Sequence, residues 1–211
     1  MRKFLKGLAW VAGVIAVIVI VARIFFVKPW RIPDDAPLNA SIAPTLESGD
    51  LVLVLFSGTR EAGDLVRCAH PEEPTRWIVG RIHGNGGDKV MVEGQFATIN
   101  GRKYRTTEAC LHDHYDVVAP GGVKKTLSCN RVDFGGGWHY ILWQAGSEVS
   151  PSNETLVGPD RYYLVSDNRT DSWDSRDYGT VPANTCTDKV LFRLWGKGGF
   201  FDSDRRFEYL R

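Results

Sequence analysis

Ser41-Ile42-Ala43-Pro44-Thr45-Leu46-Glu47-Ser48-Gly49-Asp50-Leu51-Val52-Leu53-Val54-Leu55-Phe56 runs from a polar turn into a continuous apolar segment. Pro44 stiffens the turn, Gly49-Asp50 ends it, and the run from Leu51 to Phe56 has the length of a buried strand rather than a helix. A serine beside such a turn is either an ordinary turn residue or a presented nucleophile. A serine needs a base to become a nucleophile.

On the N-terminal side, residues 28–40 (KPWRIPDDAPLNA) carry three prolines and read as an extended linker. Before them, Gly7 to Ala22 is apolar throughout, and Ile24 to Val27 continues the run past Arg23. About 20 residues at roughly 1.5 Å each match a bilayer core. Arg2, Lys3 and Lys6 also suit the basic end of a cleavable secretory signal. The run is long for that, however, and Lys28-Pro29-Trp30-Arg31 follows it instead of a small-x-small cleavage site. The expectation is a retained single-pass anchor over 1–28 and an extracytoplasmic domain over 29–211. Basic residues flank both ends of the span, and Asp34 and Asp35 dilute the second flank, which favours an inside N-terminus. Ser41 then lies 14 positions past Val27, near the membrane surface.

On the C-terminal side, short strands are expected at Leu65–Cys68, Trp77–Ile82, Val90–Glu93, a hairpin through Gly94–Ile99, Trp138–Trp143, Arg161–Val165 and Lys189–Trp195. Asn100-Gly101 marks a tight turn. The segment 103–158 is otherwise hard to read. Short strands joined by turns predict a mainly β, antiparallel, open or barrel-like domain. Among 211 residues, 26 are Lys or Arg and 25 Asp or Glu, a net charge of +1, so the basic excess of a nucleic-acid binder is missing.

Cys68, Cys110, Cys129 and Cys186 allow three disulfide connectivities, and Cys110 with Cys129 is the more natural pair. Cys110, His112, His114 and Cys129 are also four possible zinc ligands. An oxidising compartment favours the disulfide, so no metal and no cofactor are expected.

A dense polar block, Ser166-Asp167-Asn168-Arg169-Thr170-Asp171-Ser172-Trp173-Asp174-Ser175-Arg176, precedes Tyr178-Gly179. By itself it is either a self-paired solvated loop or a scaffold that braces a site. With Ser41–Leu46, Gly49-Asp50 and the Gly-Asp-x-Val of Gly63–Val66, it resembles the bacterial type I signal peptidases in motif order and spacing. Ile42 replaces a methionine of that family and Ser166 replaces a glycine. The resemblance covers most of the chain except about 103–155. It implies a signal peptidase fold, a membrane-bound serine endopeptidase cutting exported precursors after small-x-small sites, and a location in the bacterial cytoplasmic membrane. The implied partners are signal peptides and membrane lipid. It also implies Ser41 as nucleophile, Ser172 as an orienting hydroxyl, Asp174 and Arg176 as a bracing pair, and Arg81 as structural support. Asn39, two residues before the nucleophile, takes the oxyanion-donor position.

The family's base is a lysine, and the matching stretch here is Gly80-Arg81-Ile82-His83-Gly84-Asn85-Gly86-Gly87-Asp88. Gly80 stands at the lysine position and has no side chain. His83 is the nearest substitute, since histidine titrates near neutrality, but in a regular strand it faces away from position 80 and needs a bulge to come round. Lys89 is a second candidate beside a turn, and Arg81 stays charged. Two further readings follow: a non-catalytic binding or assembly factor that keeps the fold, or a processing peptidase dedicated to one pilus or conjugation substrate.

Overall fold

The computed structural model describes residues 2–119, 121–144, 146 and 153–210. Helix α1 (Arg2–Phe25) is the apolar run. Lys3–Val21 within it has a mean hydropathy of 2.5 and is long and apolar enough to cross a membrane. None of that window is buried against the rest of the chain. Such an exposed, largely apolar helix fits a membrane span by length and composition.

Strand β1 (Val27–Arg31) follows directly, then helix α2 (Ala36–Ile42) and strand β2 (Leu51–Leu55). The expected extended linker over 28–40 is therefore a strand and a short helix. β1 pairs antiparallel with β2, from Val27 opposite Leu55 to Arg31 opposite Leu51. Asp35 caps α2 by accepting from the Leu38 amide at 3.3 Å. Pro37 lies in the first turn, where its missing N–H costs nothing. The helix stops at Ala43 (ψ 144°), because the residue before a proline avoids helical geometry. Leu38, Ile42 and Leu46 recur every four residues and bury against Val52, Val54, Leu65 and Val79. Each buried aliphatic side chain contributes about 1.5–3 kcal/mol, so these three pin the segment around Ser41 to the sheet.

Strands β3 (Leu65–Ala69) and β4 (Trp77–Gly84) come next. A small sheet is formed by β5 (Lys89–Glu93), β6 (Phe96–Ile99) and β7 (Arg102–Tyr104). Asn100 and Gly101 both have positive φ (52° and 79°), the turn geometry that Asn-Gly provides. The unread region holds two long strands, β8 (Thr106–Val118) and β9 (Lys124–Phe134), which form a three-stranded sheet with β10 (Gly137–Trp143). The chain continues through β11 (Thr155–Leu156), β12 (Arg161–Val165), helix α3 (Ser175–Tyr178), β13 (Val181–Pro182), β14 (Asp188–Trp195) and β15 (Arg206–Tyr209).

The main sheet is antiparallel with order β1-β2-β14-β3-β4-β12-β13, and β15 pairs with β14. It places β4, with Gly80, between β3 and β12, and the polar block leaves the end of β12. Disulfides join Cys68 to Cys186 and Cys110 to Cys129. The second uses two of the four candidate zinc ligands, and no metal-binding cluster occurs among the described residues.

Candidate active site

The segment after β12 grips the end of α2. Asn168 donates its backbone N–H to the Ser41 carbonyl at 3.0 Å and its side-chain amide to the Ala40 carbonyl at 2.9 Å. Thr45 donates to Asp167 Oδ2 at 2.5 Å. Asp167 also receives Arg81, Nε to Oδ1 at 2.7 Å and Nη2 to Oδ2 at 3.2 Å. Arg81 and Asp167 are buried, so this two-point pairing is what lets either charge leave water. A further guanidinium donation, to the Gly63 carbonyl at 3.2 Å, anchors Arg81 to the turn before β3.

Asp174 and Arg176 form a second two-point pair, Nε to Oδ1 at 2.9 Å and Nη2 to Oδ2 at 2.7 Å. Asp174 also accepts from the Ser166 amide at 2.7 Å and N-caps α3. Burial opposes ionisation of this carboxyl, but the Arg176 charge and the hydrogen bonds outweigh it and hold its pKa at about 2. Burial, reinforced by repulsion from Arg176, lowers Arg169 to about 10, so Arg169 remains charged at neutral pH.

Ser41 occupies the last turn of α2 and is fully buried. Its hydroxyl donates to the Leu38 carbonyl at 2.8 Å, the local bond that serine makes in a helix. Among the described residues, no titratable group bonds this hydroxyl. Asn39 sits on the same helix, and its buried Oδ1 has no hydrogen-bond partner. Ser172 is half-buried.

Gly80 pairs with Val66 on β3 and lies in the middle of the main sheet. A Cβ added there meets Leu164 Cβ at 3.2 Å and the Val165 carbonyl oxygen at 3.4 Å, so the neighbouring strand closes over the position. The bulge that His83 needs is present, because Leu164 pairs with Ile82 and Tyr163 with Gly84, which leaves His83 as the extra residue on β4. The ring sits, however, in a cluster around Phe134. His83 stacks on Phe134 at 4.5 Å, its Nδ1 is 3.2 Å from the Arg81 carbonyl, and its Nε2 is 3.3 Å from Arg169 Nη2. Donation from Nδ1 and acceptance at Nε2 satisfies both contacts and occupies the lone pair a base would use. Burial, then the Arg169 charge, holds its pKa well below the ordinary histidine value. The base role assigned to His83 therefore has no contact with Ser41. Lys89 pairs at the surface with Glu154.

His139 is a site component for which the sequence offered no signal. It enters from β10 and lies buried with Nε2 3.9 Å from Asp167 Oδ1. Burial and the Arg81 charge keep it neutral. A cleft of about 900 Å³ opens beside it, lined by Pro44, Thr45, Tyr115, His139, Tyr140 and Arg193 among others. The cleft reaches the turn after Ser41 but not Ser41 itself. Thr45, Asp167 and Asn168 fall inside the quoted motifs, yet their tertiary bonds carry no sequence signature.

The profile of the family described as "Signal peptidase, peptidase S26" matches residues 5–195. A signal peptidase I of Bacillus caldolyticus is 26% identical over 199 residues, covering 92% of this chain and 93% of that protein. A signal peptidase I of Streptococcus pneumoniae serotype 4 is 29% identical over 181 residues, covering 82% and 85%. A solved signal peptidase I structure from Enterococcus faecalis aligns with a TM-score of 0.37 and 18% identity, covering 64% of this chain and 97% of that one.

Proposed function

Because the chain belongs to the signal peptidase family, peptidase S26, we propose that it is a membrane serine endopeptidase that removes signal peptides from exported precursors after small-x-small sites, with Ser41 as nucleophile. The single observation that carries this reading is the clamp of Asp167 and Asn168 on Thr45, Ala40 and Ser41, which joins the two motifs at one place. Helix α1 serves as the anchor in the bacterial cytoplasmic membrane, with residues 29–211 on the outer side and lipid and signal peptides as partners.

Attack on a scissile carbonyl requires the Ser41 hydroxyl to leave the Leu38 carbonyl and give up its proton as the Oγ–C bond forms. On this reading the Nδ2 amide group of Asn39, two residues away, donates to the oxyanion, Ser172 orients, and Asp174–Arg176 with Arg81–Asp167 give rigidity. Gly80 supplies no amine and His83 is engaged elsewhere, so turnover is slow relative to a lysine-assisted site. A general base is worth about 10²–10⁴-fold.

The test is cleavage of a purified precursor bearing a small-x-small site by the full chain in detergent, with Ser41→Ala alongside. Cleavage at that site, abolished by the substitution, is expected. Equal cleavage by the Ser41→Ala protein removes Ser41 from the mechanism. Precursor binding without turnover by either protein instead establishes a non-catalytic binder.

A further inference from the structure

Strands β8 and β9 belong to the three-stranded sheet, not the main one, and the sequence assigns them no role. Their inner face is nevertheless turned to the site. Lys125, Leu127 and Cys129 alternate onto one face of β9. Leu127 and Cys129 belong to a buried cluster with Ala43, two residues from Ser41, and with Leu142 of β10. Lys125 lies one step further along the same face, its side chain 32% exposed, with Nζ 2.5 Å from Asp171 Oδ1.

Asp171 is the residue before Ser172, and its side chain is only 10% exposed. Its other carboxylate oxygen is buried without a partner, so Lys125 is the cation that permits this charge to stay inside. The Asp171 and Thr170 amides both donate to Asn168 Oδ1 at 3.0 Å, an Asx-type turn. That turn aims the Asn168 amide at Ala40 and its N–H at the Ser41 carbonyl, at 2.9 and 3.0 Å. The chain of contacts runs from Lys125 through Asp171 and Asn168 to the nucleophile's own peptide unit.

We propose that Lys125 is a positioning residue for Ser41, and that the β8–β9 hairpin acts as a clasp closing the Asn168–Ser172 turn onto the end of α2. Without the lysine charge, the Asp171 carboxylate turns to solvent, the turn opens and the Ser41 peptide unit loses its fixed orientation. The kinetic half of this proposal rests on the peptidase reading; the structural half does not.

The test uses the full chain in detergent as Lys125→Met, Lys125→Arg and, for the exposed neighbour on the opposite face, Lys124→Met. Amide hydrogen exchange is followed by mass spectrometry over segments 38–46 and 166–172, with 89–99 as an internal reference. Lys125→Met is expected to speed exchange in the first two segments about tenfold, the lower end for a lost charge-assisted bond, and to leave 89–99 unchanged. Lys125→Arg and Lys124→Met are expected to match the parent. In precursor cleavage, Lys125→Met lowers kcat about tenfold with KM within twofold. Parental exchange in Lys125→Met, or acceleration in every segment alike, overturns the clasp. Loss of turnover in Lys125→Arg with parental exchange also overturns it, since the amine then takes part in the chemistry. If the parent turns over no precursor, the exchange measurement still decides the clasp, so the two readings fail separately.

Discussion

Replacing Asp174 with asparagine removes one charge from a site where every hydrogen bond is known. The carboxylate is fully buried and accepts from Arg176 Nε, Arg176 Nη2, the Ser166 amide and the Arg176 amide at 2.7–3.0 Å. The Arg176 side chain is only 7% exposed, so Asp174→Asn leaves a buried guanidinium without its counter-charge. Breaking such a pair from one side costs about 3–5 kcal/mol. Proton linkage gives a second route. The carboxyl titrates at about 2 in the fold against 3.8 as the ordinary value, and the difference of 1.8 pH units corresponds to about 2 kcal/mol. Together they predict a loss of roughly 2–4 kcal/mol, or a Tm lower by roughly 5–15 °C for a chain of this size. The depressed folded pKa fixes the sign with pH. The contribution is complete above pH 3.8 and disappears as pH falls towards about 2, so parent and variant converge there. Thermal unfolding of the detergent-solubilised chain by near-ultraviolet circular dichroism reads this directly. A Tm at neutral pH within about 2 °C of the parent would refute the bracing role and the reasoning behind it.

Gly80→Lys is expected to raise precursor cleavage about a hundredfold by restoring an amine, while Gly80→Ala gives no gain. Both variants lose stability, because the new Cβ must displace Leu164 from 3.2 Å; brisk parental turnover with no gain from lysine places the base elsewhere. His83 and His139 are kept neutral by burial and by Arg169 and Arg81 respectively. Their stabilisation is therefore complete above about pH 6.5 and falls by up to about 1.4 kcal/mol per pH unit per histidine below it. Urea midpoints at pH 7.5, 6.0 and 5.0 should decline in the parent and decline less in His139→Gln; identical slopes contradict this. Replacing Cys110 and Cys129 by serine opens a loop with a sequence separation of 19 and should cost about 3 kcal/mol by loop entropy. Unchanged urea midpoints in that double variant would show that the disulfide adds nothing to stability.

The elements legible in the sequence are those whose burial follows a local period. β2 alternates half-buried and buried residues, so its apolar run identified it. α1 was equally plain as an element, because an apolar span of that length stands out by hydropathy alone. By contrast, β8 buries only Cys110 and Val117 in thirteen residues, leaving no alternation to find. α2 is too short for helical periodicity and hides behind its prolines, and its cap at Asp35 becomes visible only with the chain folded.

Sequence alone therefore determined the family, the N-terminal apolar span and the antiparallel β class, because each depends on residue identity or on near neighbours along the chain. Tertiary structure decided where charges and hydroxyls point. It turned His83 towards Arg169, brought His139 to Asp167 and Lys125 to Asp171, and set the Ser41 hydroxyl against Leu38. Those outcomes depend on which buried donors and acceptors find partners, and the partners of Asp167, Asn168 and Asp171 come from strands distant in sequence, whose proximity only the packed sheets create.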